Sequence, residues 1–370
     1  MKLILSVDAL VPPLTGIGRY TWELARHYQT KTQNIESVRF FRVNDWVDNP
    51  ADLLRIPALR KKHGYLRRRM PKNWRAWALK KQMRGAVFHA PNYFLPDCVE
   101  SGIVTVHDLS VFKYPETHPI QRRRHFEVGF ASTLARAAHI ITDSEAIRLE
   151  VADFFGWSLD KITAIPLGVN EEFRPRVESE LAESLRDRGL SFGNYSLCVS
   201  TLEPRKRVDQ LVRTYGRLPV TLRQRFPLVL AGSSGWLSED LQVEVKRGEQ
   251  EGWLRYLGFV PEAQLPYLYA GARAFFFPSA YEGFGLPVLE ALASGVPTLT
   301  SNCSSLPEVA GGAAWLVQPD DSDALMDGIE HVLLDESWRA AAIDRGLRVA
   351  GQRNWGACAS RTLELCRRFF

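Results

Sequence analysis

The sequence predicts an α/β protein of two doubly wound domains, each a parallel sheet with helices on both faces. Three observations carry this reading. The chain has 370 residues, more than one hydrophobic core ordinarily serves. Short runs rich in Val, Ile, Leu and Phe alternate with helix-patterned stretches, and strand then helix, repeated, marks a parallel sheet. The alternation stops over a polar stretch, roughly 170–194, and then restarts, as it would at a domain boundary.

Taken in order, "KLILSVDA" reads as a strand and "IGRYTWELARHY" as its helix, starting near Arg19. "GIVTVHD" is a strand before a long mixed stretch near 119–137. "AHIITDS" leads into the helix "EAIRLEVADFFG", and "KITAIPLGV" closes the first half. The second half opens with "YSLCVST" and "VDQLVRTYGRL". It continues through "FPLVLAG", "LRYLGFV", "QLPYLYAGA", "AFFFPSA", "PVLEALASG" and "PTLTSN". Ligands of such sheets bind beyond the carboxyl ends of the strands, so the loops after these runs are where function is expected. Two such domains facing each other would form a deep cleft lined by those loops.

Composition excludes several classes. The apolar share of 45% and charged share of 24% are ordinary for a globular chain. No apolar run approaches the ~20 residues of a membrane span. "MKLILSVDAL" is interrupted by Asp8 and reads as a buried first strand, not a signal peptide. The five cysteines, Cys98, Cys198, Cys303, Cys358 and Cys366, form no CxxC pair and read as free thiols of a reducing compartment. Charge is uneven: residues 1–175 hold 26 Lys+Arg against 18 Asp+Glu (+8), and residues 176–370 hold 21 against 24 (−3). A basic first half suits an anionic partner such as phosphates or a membrane surface; chance variation in surface charge is the plainer alternative.

Several loops carry residues with chemistry. In "PPLTGIGRYTWELA", Gly16 and Gly18 precede a helix, where bare backbone and free N–H groups suit an anion. The third glycine of a dinucleotide fingerprint is missing, and a plain strand-to-helix turn explains the pair equally well. In "TLEPRKRVDQLV", Arg205, Lys206 and Arg207 stand at a helix start. Cations there oppose the helix dipole. A bound phosphate removes the conflict, although an exposed cationic cluster is the alternative. His107 ends a strand beside Asp108, where active-site groups gather. His89 and Asn92, in "FHAPNYFLP", are weaker candidates nearby. Asp321 and Asp323 form a D-x-D that could hold a divalent metal, but Asp and Ser before a helix are ordinary caps.

The stretch "SAYEGFGLPVLEALASGVP", residues 279–297, is the most telling. Pro287 suits the first turn of a helix running to Ser294, with Gly295 as its stop. Gly283 and Gly285 then lie just before the helix, Glu282 close to the preceding strand, and Glu290 one turn inside. A core helix has no use for this arrangement. A ligand that is part hydroxyl-rich and part phosphate does.

These residues resemble the retaining GT-B glycosyltransferases of family four, whose E-x7-E motif matches Glu282 to Glu290. The resemblance extends over "TGIGRY", "VHDLS", "STLEPRKRVDQLV", "FVPEAQLPYLYAGA" and "SNCSSLPEVAGGAAWLVQPDD". The subgroup is similar to bacterial mannosyl- and rhamnosyltransferases of O-antigen or related surface-polysaccharide (lipopolysaccharide) synthesis. It implies a GT-B fold of two Rossmann-like domains: an acceptor-side domain over 1–175, a nucleotide-sugar domain over 190–353, and a last helix, 354–370, crossing back to the first. It implies that Glu282 and the backbone of Gly283, Phe284 and Gly285, with Leu286, hold the donor sugar. Glu290 would take the ribose hydroxyls and Arg205 and Lys206 the diphosphate. Gly16 and Gly18 would lie on the donor side, Gly18 approaching the diphosphate. Val260 and Leu265 would lie near the base, and His107 would hydrogen-bond the sugar. His89 and Asn92 stay as weak acceptor-side candidates. The expected reaction is hexosyl transfer from GDP-mannose or GDP-rhamnose to a polyprenyl-diphosphate-linked glycan, with no cofactor, no metal and no nucleic-acid partner. UDP-, dTDP- or ADP-sugar donors, a nucleotide-sugar epimerase on the same fold, and a silent sugar-binding subunit remain as alternatives.

One segment points to where the protein works. Residues 53–96 contain twelve Lys or Arg and no acidic residue. Arg67, Arg68 and Arg69 belong to this run, and Trp74 and Trp77 are interleaved with it, with Pro71 breaking it into two short helices. A basic amphipathic surface carrying Trp suits anionic headgroups, here the inner face of the cytoplasmic membrane. The alternative is a solvated basic face whose Trp side chains pack on their own domain.

Overall fold

The computed structural model describes residues 1–30, 35–55, 72–235 and 239–370. Arg67, Arg68, Arg69 and Pro71 lie outside them. The chain divides into two compact units: Met1–Phe112, His118–Gly168 and Trp355–Phe370 form the first, and Lys113–Thr117 and Val169–Asn354 the second. Apart from Lys113–Thr117, the second unit begins at Val169, ahead of the sequence boundary at 175, and the chain after Asn354 returns to the first.

In the first unit the strands are β1 (Lys2–Ser6), β2 (Ser37–Arg42), β3 (Asp45–Val47), β4 (Val87–Ala90), β5 (Gly102–Val106), β6 (Ala137–Thr142) and β7 (Ile162–Ala164). Their order across the sheet is β3-β2-β1-β4-β5-β6-β7. Only the β2–β3 pair is antiparallel among these. β4 and β5 are buried along their whole length, as strands covered on both faces must be. The helix Gly16–Thr30 follows β1 and starts three residues before the expected Arg19. It packs against the last helix, Trp355–Arg367, with Tyr20 and Trp355 in ring contact at 6.5 Å.

The second unit contains β8 (Ser196–Val199), β9 (Leu228–Ala231), β10 (Leu254–Tyr256), β11 (Ala274–Phe277), β12 (Thr298–Ser301) and β13 (Ala314–Val317). The order is β10-β9-β8-β11-β12-β13, parallel throughout. The chain grows outward from β8 on one side and then resumes with β11 on the other. β8 and β11 therefore flank the point where strand order reverses, the place where doubly wound sheets bind ligands. One side of this sheet closes on a core that includes Tyr215, Trp253, Phe276 and Leu299, none more than 1% exposed. Side chains of this size stabilise by roughly 1.5–3 kcal/mol each when fully buried.

Candidate active site

The site of the second unit is built by adjacency. β8 and β11 pair in register, Ala274 with Ser196 and Phe275 with Leu197, so the segments leaving their carboxyl ends run side by side. After β8 the chain makes a 3-10 turn, Pro204–Lys206, and Arg207 takes a left-handed conformation (φ 53°) to enter the helix Val208–Arg217. Arg205 and Lys206 thus sit in the turn before the helix, not in its first turn as the sequence suggested. After β11 the Ala280 N–H donates to the Arg205 carbonyl at 2.8 Å and the Ser279 hydroxyl to the same oxygen at 3.3 Å. Two loops far apart in sequence are thereby laced together.

This lacing brings three charges into one place. The Lys206 ammonium donates to Glu282 Oε1 at 2.5 Å. An Arg205 guanidinium nitrogen lies 3.7 Å from Glu282 Oε2 and also donates to the Tyr281 carbonyl at 2.5 Å. Arg205 further approaches Glu203 at 3.6 Å. All three side chains keep a minor exposed fraction: 9% for Arg205, 15% for Lys206 and 11% for Glu282. The pair is neither fully desolvated nor a surface pair, so an anion arriving here meets cations already held in place. Arg207 turns away from this cluster to pair with Asp320.

The loop after Glu282 is held from below. The Glu282 N–H donates to the Ser304 hydroxyl at 3.0 Å. The Ser305 hydroxyl lies against the carbonyls of Glu282 (2.9 Å) and Phe284 (2.7 Å). Gly285 has φ 111° and begins the helix Leu286–Ala293; a Cβ there would meet Leu306 at 2.8 Å, so both conformation and space demand glycine. Pro287 occupies the first turn, Ser294 caps the end and Gly295 follows at φ 72°. Glu290 is on this helix and 3% exposed. Val260 is buried and Leu265 half-buried, at the loop and helix after β10. Lys113 and Tyr114, from the short segment that joins this unit, face the Tyr281 ring at 5.2 Å each.

Other candidates find different company. Asp321 caps the helix Ser322–Leu334, accepting from the Asp323 and Ala324 N–H groups at 3.1 and 2.9 Å, and Asp323 pairs with Arg217 at 3.2 Å. In the first unit Gly16 opens its helix in an exposed position. Gly18 is buried, and a Cβ there would press on Leu14 and on the Ala9 carbonyl at 3.0 and 3.1 Å, a packing reason for glycine by itself. His89 belongs to β4 and is 0% exposed, its Nε2 2.9 Å from the Thr105 hydroxyl. Burial lowers its pKa to about 3, with the nearby His107 adding to the effect. A neutral imidazole inside the sheet offers no surface to an acceptor, which corrects the acceptor-side reading of His89. Asn92 is half-buried in the loop after β4. His107 follows β5, but its partner is Asp143 at 2.7 Å, not its neighbour Asp108. Asp108 instead accepts from the Ser110 N–H and hydroxyl at 2.9 and 2.7 Å. Asp143, Ser304 and Ser305 escaped the sequence reading. Asp143 looks like any acid before a helix, and the serines lie in a polar loop whose role appears only with its neighbours in space.

Models of two families match the chain: Glycosyltransferase Family 4 over residues 14–173 and Glycosyl transferases group 1 over residues 189–349. The O-antigen chain mannosyltransferase B of Escherichia coli is 38% identical, the match covering 98% of each chain. The chain belongs to the family 4 (group 1) glycosyltransferases. A serotype-specific mannosyltransferase, WbdA of E. coli, is 32% identical over 65% of this glycosyltransferase and 30% of its own length. Among solved structures, Anabaena HepE in complex with UDP and glucose superposes with a TM-score of 0.74 at 19% identity, covering 100% of both chains; at that identity it attests the GT-B fold. This glycosyltransferase therefore has two Rossmann-like domains of the GT-B class, as its sequence implied.

Proposed function

We propose that this glycosyltransferase moves a mannosyl residue from GDP-mannose to a lipid-linked glycan in O-antigen-type polysaccharide synthesis, with retention and without a metal. The observation that carries the sugar is the near-full-length identity to an O-antigen mannosyltransferase. What supports the donor role of the site is the Arg205–Lys206–Glu282 cluster at the strand-order reversal, followed by the Gly285 turn and Glu290. Transfer leaves a nucleoside diphosphate on which charge develops. Arg205 and Lys206 supply preorganised positive charge to it, the kind of stabilisation that lowers such barriers most. Glu282 takes donor hydroxyls and Glu290 the ribose. Val260 and Leu265 flank the base, and attack comes from the face the leaving group departs. The use of Asp321 as a helix cap supports assigning the diphosphate to Arg205 and Lys206; activity should therefore persist in EDTA, and loss restored by Mg²⁺ or Mn²⁺ would reverse that assignment.

The same reading sets the enzyme on the inner face of the cytoplasmic membrane, where a polyprenyl-linked acceptor is presented. Among the described residues no helix is long and apolar enough to cross a membrane. The helix Lys72–Met83 buries Leu79 and Met83 and leaves Trp74 and Trp77 66% and 64% exposed, which supports the membrane reading. Lys81 lies 5.5 Å from the Trp77 ring, and a cavity of about 600 Å³ whose lining includes Trp77, Lys80, Lys81, Arg84, Phe88 and Glu100 opens beside it, with Lys80 paired to Glu100 at 3.0 Å. Donor choice is tested by thermal shift of the full chain with GDP, UDP, dTDP and ADP, because a ligand of the native state raises the melting temperature by mass action. GDP should stabilise most; a larger shift with another diphosphate would refute the GDP donor.

A further inference from the structure

β11 and β12 are parallel neighbours, and Phe277 stands opposite Thr300 near their ends. The segment leaving β12 therefore runs beside the segment that leaves β11 and carries Glu282, both within the second unit. Three consecutive side chains of the former, Cys303, Ser304 and Ser305, turn to the latter. The Cys303 Sγ lies 3.2 Å from the Ala280 carbonyl. Burial, and then the Glu282 charge, push its thiol up, so it keeps the proton it donates. The Ser304 hydroxyl oxygen accepts from the Glu282 N–H at 3.0 Å. Ser305 precedes the helix Leu306–Ala310, yet its side chain makes no cap bond to that helix. Its hydroxyl lies 2.9 and 2.7 Å from the carbonyls of Glu282 and Phe284 instead. Glu282 is thus fastened at its own N–H and at its own carbonyl.

Ser304 holds its place against its own backbone preference. Its φ is 50°, a left-handed conformation that a Cβ disfavours and that glycine adopts freely. Glycine would suit the backbone better, but it offers Glu282 no acceptor. Strain kept beside the Arg205–Lys206–Glu282 cluster, where one substitution would relieve it, points to a use for the side chain.

We propose that Ser304 is a positioning residue for glycosyl transfer: its hydroxyl fixes the Glu282 backbone and so aims the Glu282 carboxylate. The inference rests on the donor reading above for what Glu282 grips, and on the geometry for how Glu282 is held. The carboxylate is paired with Lys206 at 2.5 Å and approached by Arg205 at 3.7 Å. If its backbone were loose, it would follow these cations and leave the sugar. A misplacement of about 1 Å in a reacting or gripping group costs up to roughly a hundredfold in rate.

Two substitutions in the full chain separate the hydroxyl from the strain. Ser304→Gly removes the hydroxyl and relaxes the backbone. Ser304→Thr keeps the hydroxyl and adds a β-branch, which the left-handed region tolerates least. Activity is read as GDP released from GDP-mannose, well below both melting temperatures. Ser304→Gly should lose roughly tenfold or more in kcat while binding GDP within about twofold of wild type. It should melt within about 3 °C of wild type, because the lost hydrogen bond and the relieved strain offset each other. Ser304→Thr should melt below Ser304→Gly and yet keep kcat within about threefold of wild type. A purely structural role ties activity to stability and places Ser304→Thr below Ser304→Gly in kcat; that order overturns the proposal. In a Glu282→Ala background, Ser304→Gly should cost less than about twofold more, since its effect passes through Glu282. An undiminished loss there also overturns it. Should Ser304→Thr fold poorly, amide hydrogen exchange at Glu282 decides: it should be roughly tenfold faster in Ser304→Gly than in wild type, and equal rates overturn the proposal. If the wild type turns over no nucleotide-sugar, the donor reading has failed, and the exchange result still decides whether Ser304 holds Glu282.

Discussion

Lys206 and Glu282 pair with each other. A diphosphate that recruits Lys206 must share it with Glu282 or part the two, and the sugar hydroxyls must then compensate Glu282. This gives the two residues separable signatures. Arg205→Ala and Lys206→Ala should each cost about 2–5 kcal/mol in kcat/KM, the scale of a lost partner to a buried charge; steady-state kinetics with GDP-mannose checks this, and near-normal values in both variants would remove the diphosphate from this cluster. Glu282→Gln should lower kcat while GDP alone binds no more weakly than to wild type, because Lys206 loses a competitor. Glu290→Ala should do the reverse and weaken GDP. Calorimetric titration with GDP separates them, and an unchanged GDP affinity in Glu290→Ala would contradict the ribose role.

At the scale of elements, the sheets decide which residues meet. The helix Leu286–Ala293 was legible in the sequence because its signals are local: Pro287 at the start, Gly295 after the end, Gly285 where the backbone must turn left-handed. The Arg205–Lys206 cluster was legible because three consecutive cations follow a strand's carboxyl end, although the structure places Arg205 and Lys206 in the turn before the helix and not against its dipole. Its meeting with Glu282 was not, since it depends on β8 lying beside β11 across the reversal of strand order. The His107–Asp143 pair was hidden for the same reason. Asp143 precedes Ser144, which caps the helix Glu145–Phe155, so "TDSEA" reads locally as nothing more than a helix start. His89 was mistaken for a loop residue because β4 is short and Pro91 follows at once. Its burial has a consequence for stability. A histidine whose folded pKa is lowered to about 3 stays neutral while the unfolded chain, near 6.5, takes up a proton. Stability is therefore lost as pH falls below about 6.5 and goes on falling toward the folded value, by up to ~1.4 kcal/mol per pH unit for this one group. Melting temperatures measured from pH 7 to 4 should fall, and His89→Gln should flatten the slope; an unchanged slope would show that His89 is not buried neutral.

For the whole molecule, the charge asymmetry bears on the proposed membrane contact. The first 175 residues carry +8 and the rest −3, and part of the basic excess accompanies the exposed Trp74 and Trp77. Flotation of the full chain with phosphatidylglycerol vesicles should be strong at low salt and fall as salt shortens the Debye length from ~30 Å at 0.01 M to ~8 Å at physiological ionic strength. Reversing Arg67, Arg68 and Arg69 should release it while GDP binding persists; no flotation at low salt, or none lost on reversal, would leave this stretch as ordinary surface. The two units carry different duties in this account. In the proposed function the second holds the donor through Arg205, Lys206, Glu282 and Glu290, and the first carries the helix with the exposed Trp74 and Trp77. The most direct measurement is transfer itself. The full-length protein is incubated with a polyprenyl-diphosphate-linked glycan and, in parallel, GDP-mannose, GDP-rhamnose, UDP-glucose, dTDP-rhamnose and ADP-glucose. Mass spectrometry follows the acceptor and NMR the new anomeric centre. The account predicts addition of mannose from GDP-mannose in α linkage, retaining the donor's configuration, in the presence of EDTA. Transfer from another nucleotide-sugar with none from GDP-mannose, or a β-linked product, would contradict it.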